Sequence, residues 1–76
     1  MSFIIETEQA GLSTQLGEPV DTIALAVNVC AERAQIARSI VGQSPPFRLT
    51  HDGNALTDAE LAEWQAGAAA NSFEVF

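Results

Sequence analysis

Ser2 to Glu8 alternates: Phe3 and Ile5 fall on one face, Ile4 and Glu6 on the other. The run is rich in β-branched and aromatic residues and predicts a strand. Gln9-Ala10-Gly11 predicts a turn, since glycine takes positive φ without steric cost. Leu12 to Leu16 alternates again, with Leu12, Thr14 and Leu16 on one side, so an N-terminal β-hairpin is expected. Gly17-Glu18-Pro19 ends it. Asp21 offers an N-cap carboxylate to the free amides of a first helical turn. The helix that follows is expected to run to about Val41, with Gly42 as its stop.

On that helix Ile23, Val27, Cys30, Ala34, Ala37 and Val41 form one apolar stripe, and Leu25, Val29, Ile36 and Ile40 form a second beside it. Together they cover roughly 200°, wider than one buried face requires, so part of the arc is expected to be exposed. Ile23, Leu25, Val27 and Val29 also alternate as a strand would. The cap, the length and the alanine-rich continuation favour helix. Gln43-Ser44-Pro45-Pro46 is a link no helix continues through. Phe47 to His51 predicts a strand, and Asp52-Gly53 a tight turn. Thr57-Asp58-Ala59-Glu60 has the form of a capping box, opening a short helix through Leu61 and Trp64. Gly67 to Asn71 reads as a loop, although its alanines could add a turn of helix. Ser72 to Phe76 alternates and predicts a last strand with Phe73 and Val75 facing in.

The order is hairpin, long helix, link, strand, short helix, strand. A helix leaving a hairpin must return to the same sheet to bury its apolar face. The expected fold is therefore α+β: a β-grasp with a mixed sheet of about four strands, one long helix across it and a short second helix. Residues 1–76 make a single domain without internal repeats.

Composition narrows the function. Three basic residues face ten acidic ones, for a formal net charge of −7. Nucleic-acid binders neutralise phosphates with a basic stripe, which Arg33, Arg38 and Arg48 cannot supply. An anionic membrane surface is disfavoured for the same reason. Leu12 to Ile23 imitates the spacing of a helix-turn-helix, but its second helix would present Ala24, Leu25 and Ala26 to the groove instead of basic and amide side chains. No apolar run of about 18 residues occurs, so no membrane span is expected. Met1 to Gln9 lacks the basic start and apolar core of a signal peptide. Cys30 is the only cysteine, which excludes an internal disulfide or a Cys-based zinc site and fits a reducing, cytoplasmic setting. Proteins, some with basic patches, are the expected partners.

No residue set suggests catalysis, so the chain is not expected to be an enzyme or to carry a cofactor or metal. His51 lacks a nearby nucleophile or a second histidine and is expected partly exposed at a strand end. Cys30 lies on the inner helix stripe and is expected in the core. Asp58, Glu60 and Glu63 suit a solvated helix start favoured by the dipole. Trp64 is expected to plug the core beneath a loop. For Arg33, in the middle of the apolar arc, a stem lying along apolar surface and an ion pair across a protein contact stay equally open.

Several of these segments resemble ubiquitin and the ubiquitin-like proteins over nearly the whole chain. Glu18-Pro19-Val20-Asp21-Thr22-Ile23 is similar to the ubiquitin approach to its long helix, Glu-Pro-Ser-Asp-Thr-Ile. Arg48-Leu49-Thr50-His51-Asp52-Gly53-Asn54-Ala55-Leu56-Thr57-Asp58 is similar to Arg-Leu-Ile-Phe-Ala-Gly-Lys-Gln-Leu-Glu-Asp. Leu61 and Trp64 keep the spacing of a leucine and a tyrosine, and Ser72 to Phe76 matches the final strand.

The resemblance implies a bacterial ubiquitin-like modifier or carrier, handled by dedicated activating, conjugating or deconjugating enzymes, some of which serve antiphage defence. Ubiquitin continues into a tail ending Gly-Gly, where this chain has Phe76. Phe76 is then the expected conjugation terminus, through unusual enzymes or a longer precursor. The alternative is a non-conjugated binding module, such as a secretion-system component or a self-assembling subunit. An acidic inhibitor of a host protein is a third reading. Lysine is absent altogether, where on the order of four are expected. That suits a modifier that must not label itself, and equally an alanine-rich, GC-biased genome. The family's reading patch maps onto Thr50, Phe76 and the neighbourhood of Ala10. The expected partner surface is the outer sheet face: Arg48, Thr50 and Phe76, with Ala10 and His51.

Overall fold

The computed structural model describes residues 2–76. Strand β1 (Phe3–Gln9) turns into β2 (Leu12–Gln15) through a two-residue loop. Ala10 and Gly11 both take positive φ, 53° and 81°, which matches the right-handed twist of a hairpin. Beyond the break at Gly17–Pro19, Val20 pairs with the start of β1 through two backbone hydrogen bonds of 2.7 and 2.9 Å.

Helix α1 (Ile23–Val41) follows. Its N-cap is Thr22, whose Oγ1 accepts from the Leu25 amide at 3.1 Å, and not Asp21 as expected. The helix ends at Gly42, in the left-handed conformation, whose amide donates to the Arg38 carbonyl. Ile23, Ala26, Val27, Cys30 and Ala34 form its buried face. Ala37 is half-buried and Val41 is exposed, so the expected inner stripe fades over the last turns. The second stripe stays largely outside: Leu25, Ile36 and Ile40 are exposed.

Strand β3 (Phe47–His51) pairs antiparallel with β1, Phe3 opposite His51 and Thr7 opposite Phe47. The sheet is thus three antiparallel strands in the order β2-β1-β3. The expected four-stranded mixed sheet is not formed. The segment 72–76 contributes one parallel bridge, Val75 to Phe47, and no strand. Helix α2 (Asp58–Ala70) is capped by Thr57 in the expected capping box, but at 13 residues it is not short. Gly67, read as loop, lies inside it. A Cβ at Gly67 would stand 2.5 Å from Val27 Cγ2, so the missing side chain is what lets α2 lie against α1. The helix continues because close packing with α1 outweighs the cost of glycine, about 1 kcal/mol.

The core lies between the inner sheet face and the two helices. Phe3, Ile5, Phe47 and Leu49 point inward, against Ala26, Cys30 and Ala34 of α1 and Trp64 and Ala68 of α2. Trp64 is fully buried, as expected, with its ring centre 5.4 Å from that of Phe73. Burial pushes the Cys30 thiol up to about 12, so it behaves as a small apolar group. Among the described residues no helix is long and apolar enough to cross a membrane.

Candidate functional site

Because side chains alternate along a strand, the residues between the buried ones emerge on the other face of the sheet. There Ile4 sits opposite Thr50, Glu6 opposite Arg48, and Gln15 opposite Glu6. The Arg48 guanidinium donates to Glu6 Oε1 from Nε at 3.2 Å and from Nη2 at 3.0 Å. Both side chains are partly exposed, which keeps the energy of the pair to about 1 kcal/mol or less. Its geometric effect is larger: it holds Arg48 flat on the sheet.

Phe76 reaches this surface from the other direction. Its amide donates to the Phe47 carbonyl at 3.1 Å, and the Phe47 amide donates to the Glu74 carbonyl at 2.9 Å. The Phe76 ring then lies 5.1 Å from the Arg48 guanidinium carbon, within cation–π range. The last residues are thereby docked along β3. The turn after β3 and the start of α2 close the far wall. The result is a shallow groove of about 670 Å³, lined by Ile4, Arg48, Thr50, Leu56, Leu61 and Phe76 among others. Leu61 and Phe76 are 40% and 41% exposed, so the groove offers apolar area around one neutralised ion pair.

Three of the five expected surface residues, Arg48, Thr50 and Phe76, therefore come together. The other two do not. Ala10 sits in the hairpin turn and lines a separate depression with Val41, Pro45 and Pro46. It is displaced because the hairpin runs past the end of the β1–β3 pairing. His51 belongs to the inner row, opposite Phe3, and stacks on that ring at 4.4 Å. Its Nδ1 lies 2.7 Å from Glu60 Oε2, and its Nε2, which is buried without a hydrogen bond, lies 3.7 Å from Asp52 Oδ2. Odd-numbered residues of β3 face in, so His51 could not share a face with Arg48 and Thr50.

The carboxylates around His51 are held in their charged form. The Thr57 amide, donating at 2.9 Å, is the main reason Glu60 titrates below the usual glutamate value, with the Thr57 hydroxyl and His51 adding to it. The Ser2 amide does the same for Asp52 at 2.8 Å, helped by His51. Glu60 is thus more than a solvated helix-start charge. The capping box marked it in the sequence, but nothing local marked its contact with His51. Leu56 and Leu61 read as ordinary core positions, and Ile4, which alternation sets on the outer face with Glu6, carries no local mark of a groove wall. Arg33 is exposed and makes no ion pair among the described residues.

Comparison of the chain with family models, with curated proteins and with solved structures finds no match in any of the three.

Proposed function

We propose that the chain is a small protein-binding module of β-grasp-like build that captures its partner non-covalently through the outer face of its sheet. The hairpin, the crossing helix and the third strand support that fold reading, with the Phe47–Val75 bridge standing where a fourth strand would run. The observation that carries the functional reading is the docked Phe76. Its amide is bonded to Phe47, and its ring lies over Arg48 as one wall of the groove. As a groove wall it already presents an aromatic anchor, the kind of side chain that dominates protein interfaces.

The partner is a protein surface with an apolar anchor for Ile4, Leu61 and Phe76, surrounded by basic residues that answer the net charge of −7. No reaction is assigned to the chain. A lone, buried cysteine agrees with a cytoplasmic setting.

The test is to isolate a tagged copy from its native host under native and denaturing conditions in parallel. The reading expects a partner recovered natively and lost in denaturant, and a single unmodified mass for the chain itself. Ile4→Glu should abolish recovery of that partner, and Arg33→Ala should leave it unchanged. Adducts joined through the C-terminal carboxylate would instead establish the modifier.

A further inference from the structure

β2 is an edge strand with no partner on its outer side among the described residues. Its pairing with β1 fixes which backbone groups face that side. The Leu16 amide donates to the Ile5 carbonyl, and in an antiparallel ladder bonded residues alternate. Leu12, Thr14 and Leu16 therefore turn their backbone groups toward β1, whereas Ser13 and Gln15 turn theirs outward. Exposed edges are ordinarily blunted by charge, proline or a bulge. Leu12 to Gly17 contains no charged residue and no proline, in a chain of net charge −7.

Beside this edge lies an apolar surface that no described residue covers: Leu12 is 69% exposed and Ile36 47%. Ile36 lines a cleft of about 350 Å³ between α1 and the hairpin, together with Thr14, Leu16 and Arg33.

We propose that the β2 edge pairs with the β2 edge of a second copy of this chain, antiparallel about a two-fold axis through Thr14. Only the register centred there satisfies both the hydrogen-bond alternation and the side-chain match. It sets Ser13 against Gln15 of the other copy twice over, so the outward groups exchange four backbone hydrogen bonds. It sets Leu12 against the other Leu16 on the inner row, and Thr14 against itself, a favourable cross-strand pair. Within the paired strands no charge opposes a like charge. Registers centred on Ser13 or Gln15 keep the alternation but set a leucine against Thr14.

Two four-residue edges alone are too short to hold a dimer. The exposed parts of Leu12 and Ile36 add on the order of 400 Å² from the two copies beside the seam, toward the ~1,200 Å² of a specific interface. The two-fold axis runs perpendicular to the sheet, so both outer grooves face the same way. The pairing does not depend on what those grooves bind.

The experiment is sedimentation equilibrium on the full chain, with cysteine cross-linking to read the register. At about 100 μM the mass should approach twice 8.0 kDa, and the association should strengthen with added salt, which screens the repulsion of two acidic copies. Ser13→Pro removes only an outward amide, and Thr14→Lys places two cations face to face. Each should give a folded monomer, with folding verified by circular dichroism. Thr14→Cys should form a disulfide dimer on mild oxidation, because a non-bonded pair stands about 4.5 Å apart. Ser13→Cys should not, since its copies would be about 8 Å apart. Cys30 is buried and cannot substitute for either. A wild-type chain that stays monomeric overturns the proposal, whether or not a different partner adds a strand to β2. So does a dimer that survives Ser13→Pro, or one in which Ser13→Cys cross-links as readily as Thr14→Cys.

Discussion

Along the β3 edge of the sheet the chain pairs the outward backbone groups of Phe47 and His51 with its own residues, whereas along the β2 edge it leaves Ser13 and Gln15 facing outward. Phe47 exchanges bonds with Glu74 and Phe76 at one end of β3, and His51 exchanges two with Asn54 at the other. Under the β3 side the packing is dense: Phe73 meets Phe47 edge-on at 5.7 Å and Trp64 at 5.4 Å, and α2 lies against α1. On the β2 side Ile36 of the helix is exposed, and so are all four strand residues. One sheet thus shows both solutions to the edge problem. A terminal segment with two aromatics can satisfy an edge within the chain. A short uncharged strand leaves its edge open.

The contrast sets the expected sizes of mutational effects. Phe73→Ala should be the most damaging, because it removes the ring joining the terminal segment to both Phe47 and Trp64. A loss of about 3–5 kcal/mol is expected, comparable to the whole stability of a domain this size, so urea titration should find the variant largely unfolded in buffer. Gly67→Ala should cost less, about 1–2 kcal/mol. Overpacking against Val27 there outweighs the helix propensity that alanine gains. In a Val27→Ala background Gly67→Ala should cost less, because the clash is relieved, which a double-mutant cycle would read.

Acid should act on the same covered side. Glu60 and Asp52 titrate below their ordinary values near 4.5 and 3.8, so the unfolded chain binds more protons than the folded one in that range. Their contribution is fully present above about pH 4.5–5 and is lost as pH falls through the lowered folded values. Glu60→Gln should flatten that acid limb in melts recorded from pH 3 to 7. The smallest effect belongs to the open edge. Ser13→Pro should change monomer stability by no more than about 0.5 kcal/mol, since no bond to β1 is touched. A large loss there would mean that β2 is held differently from β3's covered edge in a way the pairing above does not describe.

Of the outer groove, half was legible along the chain. Thr50 and Phe76 follow from the resemblance of their segments to a known partner-binding patch, and Arg48 from its place beside Thr50 on the same strand. His51 was assigned to the wrong face because its strand position counts with Phe47 and Leu49, and its aromatic stacking on Phe3 lies 48 residues away in sequence. Ala10 was placed by likeness of turns and not by any physical contact. Leu56 and Leu61 carry no mark that separates a groove wall from a core position.

What the order of residues settled were the features decided within a few residues of backbone: the Ala10-Gly11 turn, the Gly42 stop, the Thr57 capping box and the inward row of β1. Steric limits on φ and local hydrogen bonds fix these before any distant contact forms. Folding in three dimensions decided the rest. It chose three antiparallel strands over four mixed ones, carried α2 through Gly67, turned His51 toward Glu60 and laid Phe76 on Arg48. Each of those depends on which distant surface is nearest. A preference spread over so many weak contacts leaves no trace in any one stretch of sequence.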